Sequence, residues 1–197
     1  MIKQIIDRIV YMDEEKVFIE TLKPFEGKKW SQKHESLENL KARIRTFLEI
    51  SHKNECAYCG HVIYGKGFIE HIAPKGENNH PEFMFTESNL ALSCPYCNGF
   101  DGKGRINTVS VKKQNYDECE FIIVHPYFDN PNDHFKWIDN NDKILIQSKT
   151  VKGEKSIEIF NLADPKQAEL RVRDINLRNL ILNQTDEVLV QNAIESK

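Results

Sequence analysis

The sequence predicts an α+β fold, on three observations. Apolar residues recur at helical spacing over 36–51, short strand-like runs lie between two Cys-x-x-Cys pairs, and an Asp-Pro step opens a long terminal helix. Taken in order, residues 1–35 carry mixed signals: Ile5, Ile6, Ile9 and Val10 form a short apolar segment, and Lys23-Pro24-Phe25-Glu26-Gly27 reads as a turn. Ser36 is the predicted N-cap of a helix whose Leu37, Leu40, Ile44, Phe47 and Leu48 make one apolar face, ending near Ser51 just before Cys56. Val62-Ile63-Tyr64 and Gly67-Phe68-Ile69, separated by Gly65-Lys66, predict a β-hairpin with Glu70 and His71 on its second strand. A loop rich in Pro, Gly, Asn and His spans Pro74 to Pro81, and Thr86-Glu87-Ser88-Asn89 turns the chain into the second cysteine pair.

Beyond Arg105, strands are predicted at 121–124, 143–146 and 156–160. Asp164 and Pro165 then serve as N-cap and first helical residue, with Leu170, Ile175, Leu177, Leu180 and Ile181 on the buried side and an interruption near Asn183-Gln184-Thr185. The organisation is an N-terminal segment with its helix at 1–50, a core at 51–115 and a strand-then-helix extension at 116–197. No internal repeat is visible.

The 197 residues suffice for one respectable core, and 40% hydrophobic with 29% charged residues describes an ordinary folded chain. Mean hydropathy is −0.55 and no apolar run approaches the roughly 20 residues of a membrane span. With no secretory pattern at Met1–Arg8, the expectation is a soluble, cytoplasmic protein without a membrane partner. Net charge −3 and pI about 6.2 do not describe a protein that coats nucleic acid by bulk electrostatics, so any such contact is local or shared with a partner.

A reducing compartment leaves thiolates free for metal. Cys56-Ala57-Tyr58-Cys59 and Cys94-Pro95-Tyr96-Cys97 are tight turns that each aim two thiolates at one centre, and four thiolates match tetrahedral zinc. Such a site is closed: it contributes folding energy, not chemistry. A thiol oxidoreductase would instead need one pair free of metal beside a βαβ unit, and none is apparent. Cys119, between acidic neighbours, reads as a small hydrophobe.

Glu70-His71 combines a ligand for a hard cation with a base that titrates near neutrality. Taken alone, the pair reads sooner as a surface Glu-His, and strand alternation brings both to one site only if the strand ends or twists there. Context adds more. Glu-His-Ile-x-Pro at 70–74 is followed by Asn89-Leu90 and by Cys-x-x-Cys-Asn at 94–98, enclosed by the two knuckles, and this pattern resembles the HNH endonucleases.

The resemblance covers Cys56 to about Lys103 and implies a ββα-metal core, a hairpin and helix clamped around one divalent ion. It implies His71 as general base on water, Glu70 and Asn98 as ligands of a catalytic Mg²⁺ or Mn²⁺, and Asn89 holding the His-bearing loop. Two departures, Glu before the His and Asn at the third position, both keep a hard oxygen donor. Gly99, Gly102 and Gly104 are poor residues for the helix that should follow Asn98, which predicts a short one. Lys103, Arg105, Lys112 and Lys113 against Asp101 make the next segment locally basic, and Lys75, Lys103 and Arg105 are the expected phosphate contacts.

A wider order of motifs adds His-Pro-Tyr-Phe-Asp-Asn-Pro-Asn-Asp-His-Phe at 125–135 and Ser-Ile-Glu-Ile-Phe-Asn-Leu at 156–162. It is similar to the HNH subunit of Septu-type and retron-associated antiphage systems. That implies DNA as substrate and an ABC-type, SMC-like ATPase as partner. His125, Asp129 and His134 read as turn caps in that Pro/Asn-rich loop. The alternative to a nuclease is a non-catalytic zinc module that binds nucleic acid or a protein.

Overall fold

The computed structural model describes residues 2–100, 102–138 and 143–195, with side chains as far as residue 180. Asp101 and the side chain of Ile181 lie outside the described residues. The fold is α+β, with three two-stranded antiparallel sheets among them. An extended N-terminal segment is tied to the C-terminal half, Ile5 N–H donating to the Pro126 carbonyl at 2.8 Å and the Gln4 amide to the Tyr127 carbonyl at 2.9 Å. Helix α1 (Asp13–Thr21) and a 3-10 turn over Gly27–Ser31 lead to α2 (Glu35–Ser51). The apolar spacing works as predicted: Leu37, Leu40, Ile44 and Leu48 are buried. The start differs, since His34 occupies the cap and Ser36 lies in the first turn, where Glu35 and Glu38 complement the helix dipole.

Helix α2 packs on β1 (Phe68–His71) and β2 (Leu90–Ser93), which pair antiparallel with Glu70 opposite Ala91 and His71 opposite Leu90. The hairpin predicted from 62–64 and 67–69 does not form. Val62 makes only an isolated bridge to Glu55, and Ile63 N–H donates to the Asn54 carbonyl. All four β2 residues are buried, so Leu-Ala-Leu offers β1 a better-buried partner than Val-Ile-Tyr, whose Tyr64 stays exposed. Helix α3 (Pro95–Asn98) is a single turn.

Then follow β3 (Val109–Val111) with β4 (Glu120–Phe121), α4 (Pro131–His134), and β5 (Phe135–Trp137) with β6 (Ile146–Ser148). The strands predicted at 121–124 and 143–146 thus appear shortened and shifted. The run at 156–160 is not a strand but part of α5 (Val151–Ile159). Its Ser-Ile-Glu-Ile alternation is overruled by a cap, since the Thr150 hydroxyl accepts from Gly153 N–H at 3.1 Å, and by the burial of Gly153, Ser156 and Ile159 at helical spacing. Helix α6 (Pro165–Glu195) starts as expected, the Asp164 carboxylate accepting from Lys166 N–H at 2.8 Å, and runs without the predicted break. One buried cluster extends from Ile9 to Leu162, so all three sequence segments share a core. No described helix is long and apolar enough to cross a membrane.

His52, which closes α2, is a buried neutral imidazole. Its Nδ1 accepts from Leu92 N–H at 3.4 Å, its Nε2 has no partner, and burial pushes its pKa down to about 4. A depressed imidazole pKa means that the unfolded chain takes up its proton first. Stability is therefore expected to fall as pH drops from about 6.5 toward 4, by up to ~1.4 kcal/mol per pH unit for this one group. Urea unfolding across that window checks it: His52→Gln, which cannot titrate, is expected to show a slope shallower by about one proton. An unchanged slope overturns the assignment.

Candidate functional site

The first knuckle is a turn closed by Cys56 N–H to the His61 carbonyl and Gly60 N–H to the Cys56 carbonyl, each at 2.9 Å. The second is α3, where Cys94 sits at the cap and its sulfur accepts from Cys97 N–H at 3.4 Å. Ala57 N–H donates to the Leu92 carbonyl at 2.9 Å and ties the first turn to β2, which runs directly into the second. The ligand sulfurs of Cys56, Cys59, Cys94 and Cys97 all lie within 4.8 Å of one another, with Cys59 and Cys94 Sγ 3.8 Å apart. A tetrahedron with zinc–sulfur bonds of ~2.3 Å has sulfur–sulfur edges of ~3.8 Å, so these thiols can hold a zinc ion. Cys119 is buried elsewhere, against the backbone of Lys113. All described strand pairs are antiparallel, which leaves no βαβ unit beside either pair.

A cleft of about 660 Å³ opens beside the knuckles, and Glu70, His71, Lys75, Asn98, Lys103 and Arg105 all line it. Glu70 and His71 share this wall because β1 ends at His71, which breaks the alternation that would otherwise separate them. Lys28 and Glu77 also line it, which gives four cationic side chains against two carboxylates. The net negative charge of the chain therefore coexists with a locally positive cleft.

His71 is 3% exposed. Its Nε2 lies 3.1 Å from the Met84 carbonyl, an acceptor only, so Nε2 carries the proton and Nδ1 the lone pair. Trp30 packs edge-on against the ring, centroids 4.5 Å apart. Burial, reinforced by Lys75 and Lys103, holds the imidazole pKa well below its ordinary value and keeps the ring neutral. Lys75 is half-buried with its ammonium 5.9 Å from the Trp30 ring centroid, and burial lowers its pKa.

Lys103 departs from the reading of a basic surface segment. It is 2% exposed, with Nζ 2.6 Å from Glu70 Oε1. Burial raises the Glu70 pKa, and the Lys103 charge opposes that rise. Gly102 makes the placement possible: a Cβ there would stand 2.4 Å from the Tyr96 carbonyl oxygen and 2.6 Å from that of Cys97. The chain turns back tightly onto α3, Lys103 N–H donating to the Cys97 carbonyl at 2.9 Å. Arg105 is exposed at the rim and Asn98 half-buried in the wall.

Asn89 does not line the cleft. It is fully buried behind it, its Oδ1 accepting from Ala73 N–H at 2.6 Å and its Nδ2 donating to the carbonyls of Ala73 at 3.2 Å and Phe83 at 2.8 Å. Sequence reasoning missed Trp30, the Met84 carbonyl and Gly27, where a Cβ would stand 2.8 Å from the Lys75 carbonyl oxygen. The first two contacts span 41 and 13 positions, and no local pattern marks either. No protein-family model and no curated protein matches this chain.

Proposed function

We propose that this chain is an HNH-type endonuclease that hydrolyses DNA phosphodiester bonds with a divalent metal, around a ββα-metal core whose helix is reduced to α3. The observation that carries the reading is the convergence of Glu70, His71, Asn98, Lys75, Lys103 and Arg105 on one positively charged cleft. Glu70 and Asn98 would hold Mg²⁺ or Mn²⁺, hard ions that suit a carboxylate and an amide oxygen. Glu70 and Asn98 both line the cleft, and the Lys103 ammonium against Glu70 is a competitor that the ion would have to displace. When bound, the ion would neutralise charge that develops on the phosphate.

The protein groups do the rest. His71 takes a proton from the attacking water at Nδ1, because its Nε2–H is committed to the Met84 carbonyl. Arg105 and Lys75 hold the flanking phosphates, and Trp30 excludes water from the far edge of the imidazole. The order of motifs along the chain supports a role as effector nuclease of an antiphage system beside an ABC-type ATPase. A net charge of −3 agrees with a DNA grip that is local and shared.

Plasmid cleavage in Mg²⁺ or Mn²⁺ tests this reading, comparing wild type with His71→Ala, with and without the neighbouring ATPase. Loss of general-base assistance is expected to slow cutting about 10²–10⁴-fold. Equal cutting by both proteins overturns the assignment of His71. Absence of cutting by wild type in every condition, the ATPase included, leaves the non-catalytic zinc module.

A further inference from the structure

We infer that Tyr116 and His125 are positioning residues for the His71 site, acting through a buried hydrogen-bond chain whose polarity is fixed from both ends. The inference rests on the reading of His71 as the base. At one end, Tyr127 N–H can only donate, and it donates to His125 Nδ1 at 3.2 Å. His125 is fully buried, stacked on Phe128 with centroids 4.0 Å apart and ringed by Phe121 and Tyr116. Burial favours the neutral ring, so its one proton sits on Nε2. That proton goes to the Tyr116 hydroxyl oxygen at 2.9 Å, which leaves the hydroxyl hydrogen to donate to Asn89 Oδ1, also at 2.9 Å.

The other end is equally constrained. Asn89 Oδ1 already faces Ala73 N–H, so its oxygen and nitrogen cannot exchange places without setting donor against donor. Asn89 Nδ2 reaches the Phe83 carbonyl, one residue before the Met84 carbonyl that holds His71 Nε2–H. The chain from His125 through Tyr116 and Asn89 thus ends on the Phe83–Met84 peptide, directly preceding the peptide whose carbonyl selects the His71 tautomer. Each hydrogen along the chain has an assigned acceptor.

Tyr116→Phe removes one acceptor and one donor at the middle of the chain without changing its shape. The control is Tyr127→Phe, which deletes another buried hydroxyl, bonded to the Leu90 carbonyl at 2.6 Å, and keeps the backbone N–H that ends the chain. Imidazole ¹⁵N spectra report the His71 tautomer, and cleavage kinetics report kcat and KM. Tyr116→Phe is expected to mix the His71 tautomers and to lower kcat about 10–100-fold, with KM for DNA changed by less than about two-fold. Tyr127→Phe is expected to lose stability while leaving the tautomer and kcat unchanged.

A Tyr116→Phe protein with wild-type His71 signals and kcat overturns the inference, as does an equal effect of Tyr127→Phe. Should Tyr116→Phe not fold, His125→Gln, which keeps a donor at the Nε2 position, is compared with His125→Leu, which does not. Equal behaviour of those two also overturns it. A wild type that cuts nothing fails the nuclease reading alone, because the ¹⁵N spectra still decide whether the chain governs His71.

Discussion

Stripping zinc from the reduced protein with a strong chelator is expected to unfold the core, with loss of secondary structure and of α3 in particular. A four-thiolate zinc site supplies roughly 10–16 kcal/mol of apparent binding free energy, as much as the ~5–15 kcal/mol stability of a whole domain. Here the ion would close two turns that are otherwise linked by the Ala57 N–H to Leu92 carbonyl bond. Helix α3 is one turn long, its cap is a ligand sulfur, and the return to Lys103 hangs on the Cys97 carbonyl. Elemental analysis should find about one zinc per chain, and none in Cys97→Ser, which should purify unfolded or not at all. Cys119→Ser, whose thiol lies outside the cluster, serves as control and is expected to keep its zinc. A reduced protein that melts identically with and without chelator would rule the centre out.

Lys103→Met carries the second large effect. The substitution leaves the Glu70 carboxylate 5% exposed with no ammonium beside it, and breaking one side of a buried pair costs about 3–5 kcal/mol. The sign with pH follows from Glu70. Its pKa is already raised by burial and rises further without the lysine, so the destabilisation is full above that raised pKa and is relieved as pH falls through it and the carboxyl takes up a proton. Urea unfolding at neutral and mildly acidic pH measures this. Adding Glu70→Gln to the variant removes the orphaned charge and is expected to recover most of the loss, whereas Mn²⁺ recovers it only if Glu70 binds the ion. A Lys103→Met protein as stable as wild type contradicts the pairing.

The parts of this molecule that were legible in the sequence are those governed by short-range rules. Apolar spacing located α2, the Asp164-Pro165 step located α6, and the two Cys-x-x-Cys turns located a four-sulfur cluster that the fold brings together. The partner of β1 was missed because pairing is decided by tertiary burial. Leu90–Ser93 begins 19 positions after His71 and wins on apolar packing over a nearer candidate with turn chemistry in its favour.

Helix α5 was missed because period-two alternation in five residues competes poorly with a Thr cap and an inward stripe over nine. The burial of Lys103 has no signal in its neighbours, since a lysine between glycines reads as surface until Gly102 is seen tucked against α3. The hydrogen-bond chain through Tyr116 and His125 was invisible for the same reason. Its members are ordinary turn residues in sequence, and only the fold sets them behind Asn89.

The extended N-terminal strand of chain that crosses to Pro126 and Tyr127 bears on the order in which a working protein comes into being. A ribosome that has released residues 51–115 has already made every proposed metal ligand, yet the back of the cleft is still open. Tyr116, Phe121, His125 and Tyr127 have still to emerge and close over Asn89. A prematurely terminated or clipped product therefore carries the complete motif without a complete site. Under the nuclease reading proposed above, activity would then require the residues beyond 115 that pack behind Asn89.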